Sequence, residues 1–179
     1  MPDLISTHYD DKYFAWQAPL GEFGVEVNPG AIEAARANGL EVFSSVDEVP
    51  DEYVDVIVSD NALEHTLQPL QELKSLYRKL EPGGKAIFVV PCEAISSLYE
   101  PNDINHYLYS WSPMCIGNLF TEAGFSIIES KPYIHKWPPN FEAIVKLGGR
   151  RLFEVACRIY GRWERSWFQV KVVAEKNTA

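Results

Sequence analysis

Long apolar runs, cysteine and positive charge are all scarce in this chain of 179 residues, and each shortage removes a class of protein. The longest apolar run, residues 86–91, falls far short of the ~18 to 20 residues a membrane span needs. Residues 1–20 carry acids where a secretory leader has a basic and then an apolar stretch, so a cytoplasmic protein without a transmembrane segment is expected. The three cysteines, Cys92, Cys115 and Cys157, are odd in number, widely spaced and free of any C-x-x-C pattern. That predicts reduced, mostly buried thiols rather than a disulfide framework or a zinc knuckle. With 16 Lys and Arg against 25 Asp and Glu the formal charge is −9, which argues against a nucleic-acid partner, because such affinity comes from cations displacing counterions around phosphates.

What is present suffices for a folded domain. Hydrophobic residues make up 46% and aromatics 13%, enough to bury one core, and Pro and Gly fall as punctuation between short periodic segments rather than as a linker. The charge is uneven. Residues 1–140 hold 8 Lys and Arg against 21 Asp and Glu, whereas residues 141–165 hold 6 against 3. A basic segment near the C-terminus of an acidic body suits an anionic or sugar-linked acceptor, a membrane surface or self-complementarity.

Along the chain, residues 24–27 read as a short strand, followed by Asn28-Pro29, an N-cap and a φ-locked first helical position, and a helix that stops at Gly39. Residues 41–44 and 54–59 read as strands. Leu70, Leu73, Tyr77 and Leu80 recur at helical spacing, Glu81-Pro82-Gly83-Gly84 closes that helix, and residues 85–90 form another buried strand. After Pro91 comes a polar, aromatic loop, a helix from about Ser112 to Ala123 ended by Gly124, and a strand from Phe125 to Glu129. Within 141–163, Ile144, Leu147, Leu152, Val155, Ala156, Ile159 and Trp163 form one helical stripe, interrupted at Gly148-Gly149 and expected to serve as core or lid. A last strand, Trp167 to Ala174, pairs antiparallel. Strands alternating with helices call for an α/β fold with a mostly parallel sheet and right-handed crossovers.

Three stretches, GVEVNP, DVIVSDNALEH and LYRKLEPGGKAIFVVP, together with WSPMCIGNLFTEAGF, resemble in order and spacing the class I S-adenosylmethionine-dependent methyltransferases of the type 11/12 kind, over roughly residues 24–175. The resemblance implies a Rossmann-like sheet of order 3-2-1-4-5-7-6 with an antiparallel last strand. It also implies S-adenosylmethionine as cofactor and methyl transfer to a small-molecule acceptor. One domain is expected over 1–179: an N-terminal segment at 1–23, a cofactor half at 24–91 and an acceptor half at 92–179, with a helical insertion at about 140–163.

The chain departs from that pattern at its start. Only 23 residues precede Gly24, and they contain Gly21-Glu22-Phe23-Gly24 but no G-x-G-x-G and no apolar strand leading into a glycine turn. Strand 1 is therefore expected to be missing or replaced, and the backbone turn that approaches the methionine and ribose to be absent. A lost central strand leaves its neighbours unpaired. Strands 2 and 4 could pair directly, Lys12 to Gln17 could insert, or a homodimer could cover the edge. Two functional readings stay open: a methyltransferase, and a catalytically inactive binding or assembly module. A nicotinamide-dependent oxidoreductase ranks below both, since it needs the same glycines and a Tyr-x-x-x-Lys pair that is also lacking.

Candidate site residues follow from the resemblance. Glu26 takes the place of the acid that accepts from both ribose hydroxyls, or else braces a helix start. Ser45 and Val46 fall where adenine lies. Asn61, Ala62, Leu63 and Glu64 follow strand 4 at the methionine end, and His65 is placed to orient an acceptor or take its proton, the alternative being that Glu64 and His65 cap the next helix. His106, between Asn105 and Tyr109 after strand 5, is a second candidate base, though a loop histidine is more often merely exposed. Glu93, Asp103 and His106 lack a spacing that fixes three ligands, so no metal site is expected.

Overall fold

The computed structural model describes residues 4–5, 23–164 and 168–178, with no account of side chains at 4–5. Seven strands form one sheet: β1 (Leu4–Ile5), β2 (Phe23–Val25), β3 (Glu41–Phe43), β4 (Val54–Asp60), β5 (Leu80–Cys92), β6 (Ser126–Tyr133) and β7 (Phe168–Glu175). Their order is β3-β2-β1-β4-β5-β7-β6. The first five run parallel, and β7 lies antiparallel between β5 and β6.

The central position expected to be empty or replaced is filled from the N-terminus. Leu4 pairs with Phe23 on one side and with Ile57 on the other, and Ile5 with Val58. Direct pairing of β2 with β4 therefore does not occur, and no second chain is needed at that place. Lys12 to Gln17 lies outside the described residues. Two residues offer no hydrophobic period to read, which is why the sequence hides this strand.

Local chemistry explains the helices. Helix α1 (Pro29–Ala37) starts where Asn28 accepts from the N–H groups of Gly30 and Ala31, and ends before Gly39 at φ 84°. Helix α2 (Pro69–Lys79) buries Leu73, Leu76 and Lys79, whose ammonium is paired with Asp51 at 2.7 Å. Helix α3 (Pro113–Ala123) starts where Ser112 Oγ accepts from Cys115 N–H at 3.1 Å and ends at Gly124, φ 109°. Between β4 and β5 the pairing jumps from Val54↔Leu80 to Val56↔Lys85, so Glu81–Gly84 is looped out within β5 rather than preceding it. A Cβ on Gly84 would stand 2.9 Å from the Glu81 carbonyl oxygen and 3.0 Å from that of Asp55, so only glycine fits.

The core gathers Ile57, Leu73, Leu80, Phe88, Val90, Ile116, Phe120, Val170 and Val172 between the sheet, α2 and α3. Each such side chain contributes roughly 1.5–3 kcal/mol by leaving water. The three thiols are free, but Cys115 is exposed and Cys92 half-buried, leaving Cys157 alone buried. Helix α4 (Phe141–Trp163) kinks at Gly149, φ 61°, within the expected interruption. Its stripe is corrected. The buried face is Phe153, Cys157 and Gly161, whereas Leu147, Leu152, Val155, Ile159 and Trp163 are exposed. Among the described residues no helix is long and apolar enough to cross a membrane.

Candidate functional site

The parallel strands end at one edge, where open α/β sheets place their ligands. At the end of β4 the chain turns through Asn61, held at φ 49°. Its N–H donates to Val89 O at 2.9 Å, its Nδ2 to Asp60 Oδ1 at 3.0 Å, and its Oδ1 accepts from Gln169 Nε2 at 3.3 Å. Asparagine tolerates this left-handed backbone, and three bonds fix it there. After the half-buried Ala62, a short 3-10 turn, Leu63–His65, drops Leu63 into the core and Glu64 beneath the following loop.

Glu64 is fully buried, and neither carboxylate oxygen has a hydrogen-bond partner among the described residues. Burial pushes its carboxyl up to about 7; its own backbone N–H opposes part of the rise without meeting hydrogen-bond geometry, and Asp60 adds to it. The backbone carbonyl of Glu64 accepts from Leu108 N–H at 3.0 Å, clamping the 105–108 loop over it. His65, half exposed, places Nε2 4.0 Å from Glu64 Oε1 and its ring 5.5 Å from that of Tyr107.

Beside this turn lies a cavity of about 390 Å³. Asn61 lines it from the end of β4, Cys92 and Glu93 from the end of β5, Asn105 and Tyr107 from the loop that follows, and Phe168 and Gln169 from the start of β7. The Tyr107 hydroxyl is raised above the usual phenol range by burial and then by the negative field of Glu64, Asp103, Glu93 and Asp60. Four carboxylates around one half-buried phenol give the region a field that favours a cationic ligand.

The other expected residues are spread along the same edge. Glu26, half-buried just past β2, accepts from Asn28 N–H through Oε1 at 2.8 Å, bracing the start of α1. Ser45 Oγ accepts from Asp47 N–H at 3.2 Å as the cap of the Val46–Glu48 turn, and Val46 packs on the core. None of these three lines the cavity, nor does His106, which is exposed, at φ 46°, with its N–H donating to Asp103 Oδ2 at 3.0 Å. Sequence reasoning missed Tyr107, Phe168 and Gln169. Tyr107 sits one residue from His106, so only the identity of the loop residue facing inward was hidden. Gln169 reads as the solvent side of an alternating strand, and its contact with Asn61 spans 108 positions.

A mostly parallel sheet with antiparallel β7 set between β5 and β6, and a largely polar cavity at its carboxyl edge, define an α/β domain of the doubly wound class. The match of a methyltransferase domain family model over residues 15–130 makes it more specific: the chain belongs to that methyltransferase family. No curated protein matches the chain. Solved structures do. The [4+2]-cyclase SpnF aligns with a TM-score of 0.59 at 15% identity, covering 88% of this chain and 66% of that one. A SAM-dependent methyltransferase from Archaeoglobus fulgidus aligns with a TM-score of 0.57 at 17% identity, covering 87% and 76%. An S-adenosylmethionine-dependent methyltransferase from Mesorhizobium loti aligns with a TM-score of 0.54 at 18% identity, covering 87% and 80%. Likeness at these identities establishes the shared fold, and a cyclase among the neighbours illustrates that the fold alone does not fix the reaction.

Proposed function

We propose that the chain binds S-adenosylmethionine along the carboxyl edge of β2, β3 and β4 and transfers its methyl group to a small acceptor held in the cavity beside Tyr107. The observation that carries this reading is Glu64, a buried carboxylate with both oxygens unsatisfied at the end of β4. An orphaned buried acid is costly unless a ligand or partner compensates it. The cofactor, when bound, supplies an electrophilic methyl on a positively charged sulfonium. Asp60 and Glu64 favour that charge and an α-ammonium. Glu26 has a second carboxylate oxygen for a ribose hydroxyl, and Ser45 and Val46 border the adenine position. Alignment of donor and acceptor supplies most of the rate, and His65, beside Tyr107, takes the acceptor's proton. Neither histidine lines the cavity; His65 is preferred to His106 because its ring stands 5.5 Å from that of Tyr107, which does.

A second reading, a binding or assembly module without turnover, is favoured by one feature of the sequence. Between Ile5 and Phe23 the sequence holds a single glycine, Gly21, and no G-x-G-x-G. Calorimetric titration of the chain with S-adenosylmethionine and S-adenosylhomocysteine separates the two. Saturable one-site binding, weakened at least about tenfold by Glu26→Ala, supports the first reading, since a hydrogen bond to a charged group contributes roughly 1.5–3 kcal/mol. A folded sample that evolves no heat at millimolar ligand sinks it and leaves the module.

A further inference from the structure

Helix α4 leaves and rejoins the sheet at the same edge as the cavity: β6 ends at Tyr133, paired with Gln169, and β7 begins at Phe168, paired with Cys92 at the end of β5. The excursion is anchored. Lys136, almost fully buried, pairs with Glu164, and its N–H donates to Cys157 O at 3.3 Å; His135 Nε2 meets Glu154 Oε2 at 3.2 Å, and Phe153 packs on Trp137. A Cβ on Gly161 would stand 2.9 Å from Ile134 Cγ2, so the helix lies directly on the segment that precedes it.

The outward face has a different make-up. At 100° per residue, Leu152, Val155, Ile159 and Trp163 fall within an arc of about 80°, and Arg151, Arg158 and Arg162 within an adjoining arc of about 40°. The four apolar residues are 47%, 51%, 64% and 81% exposed. The three guanidinium groups form no ion pair with a carboxylate among the described residues. The loop that starts from the end of β5 adds Ile95, Leu98, Tyr99 and Ile104 at the same edge, all exposed. Soluble surfaces scatter such residues singly; on α4 four of them share one arc.

We infer that this outer face of α4, with Leu152, Val155, Ile159 and Trp163 bordered by Arg151, Arg158 and Arg162, docks on an anionic phospholipid surface. Charge complementarity selects the occupant. The helix segment carries an excess of positive charge on a chain whose formal charge is −9, so an anionic bilayer attracts the outer face of α4 and repels the acidic remainder, which orients the molecule. An apolar arc beside a row of arginines is the composition of an in-plane interfacial helix, whose long basic side chains reach the headgroups while the apolar face enters the acyl boundary. The inference stands apart from the cofactor reading, because lipid binding is measured without cofactor.

Flotation of the full chain with vesicles of phosphatidylcholine alone, and with about one third phosphatidylglycerol, tests it. Wild-type protein is expected to float with the anionic vesicles, weakly with the neutral ones, and less as salt rises. Arg151→Gln, Arg158→Gln and Arg162→Gln each weaken anionic binding about fivefold. Ile159→Gln with Trp163→Gln weakens it at least about tenfold, with unchanged circular dichroism and thermal midpoint because both sites are exposed. Absence of wild-type flotation, or flotation indifferent to all these substitutions, overturns the proposal. So does sedimentation showing a dimer that Ile159→Gln dissociates in a protein that ignores lipid, which assigns the face to a second copy.

Discussion

On one side of β4 the sheet is built from Leu4–Ile5, Phe23–Val25 and Glu41–Phe43, strands of two or three residues; on the other it is built from strands of 13, 8 and 8 residues. The helices follow suit. α1 buries no residue, while α2 and α3 bury Leu73, Leu76, Ile116 and Phe120. Among the described residues, the flank that would hold the cofactor therefore contributes little of the core and rests on short ladders and on the Phe23–Phe43 contact, 5.0 Å between ring centroids. Local opening starts where buried apolar contacts are few, so this flank is the one a ligand can order. The lesson is a division of labour within one sheet, with stability on the long strands and the candidate ligand edge on the short ones.

The largest expected effect breaks the strong flank. Phe120→Ala removes a fully buried ring packed edge-on to Phe88 at 5.1 Å and is expected to cost about 3–5 kcal/mol in denaturant unfolding, against about 1–2 for Phe43→Ala. Equal losses at the two sites would abolish the comparison. The junction comes next. Because the folded chain holds the Glu64 proton up to about pH 7, from an ordinary value of 4.5, stability is highest below about pH 4.5 as far as this group is concerned and falls as pH rises to about 7. Glu64→Gln is thus expected to be the more stable protein at pH 8, by roughly 1–3 kcal/mol, with the gap closing toward pH 4.5 in paired thermal melts. A gap that does not vary with pH would remove the buried charge from the account.

The same group sharpens the ligand reading. Preference for S-adenosylmethionine over its uncharged-sulfur product should grow severalfold from about pH 6 to about pH 8 as Glu64 ionises, and Glu64→Gln should flatten it; calorimetry at the two values decides. The smallest effect lies on the thin flank. Asn28→Ala deletes the acceptor for Gly30 and Ala31 N–H and is expected to cost about 1 kcal/mol. Hydrogen exchange should register the change in α1 and β2 and leave β5 and β7 at their slow limit; a global change would show the two flanks to be one cooperative unit.

Much of this was legible in the chain itself. Asn28-Pro29, Ser112-Pro113 and Gly124 act on backbone within a few residues, so α1 and α3 begin or end where those residues stand. The apolar runs of β4 and β5 mark strands, although one face of each is buried and the other only half-buried among the described residues, and Gly148-Gly149 marks a kink that falls at Gly149. The signature after β4 located the candidate edge. It could not reveal that Glu64 is unsatisfied, since burial depends on Leu108 and its neighbours closing over the turn.

Three matters were decided by tertiary structure alone. Leu4–Ile5 becomes the central strand because the neighbours β2 and β4 present unpaired backbone, a demand that no property of two residues announces. Gln169 reaches Asn61 because antiparallel register sets Phe168 opposite Cys92, and register is a property of pairs. On α4 both faces carry apolar residues, so periodicity identifies an amphipathic helix without choosing its inner side. The choice of Phe153, Cys157 and Gly161 was made by the shape of the 134–137 segment beneath, and the stripe left outside is what the lipid experiment probes. Sequence determines what local backbone chemistry and periodicity can express; partners distant in the chain determine which of two permitted faces is buried.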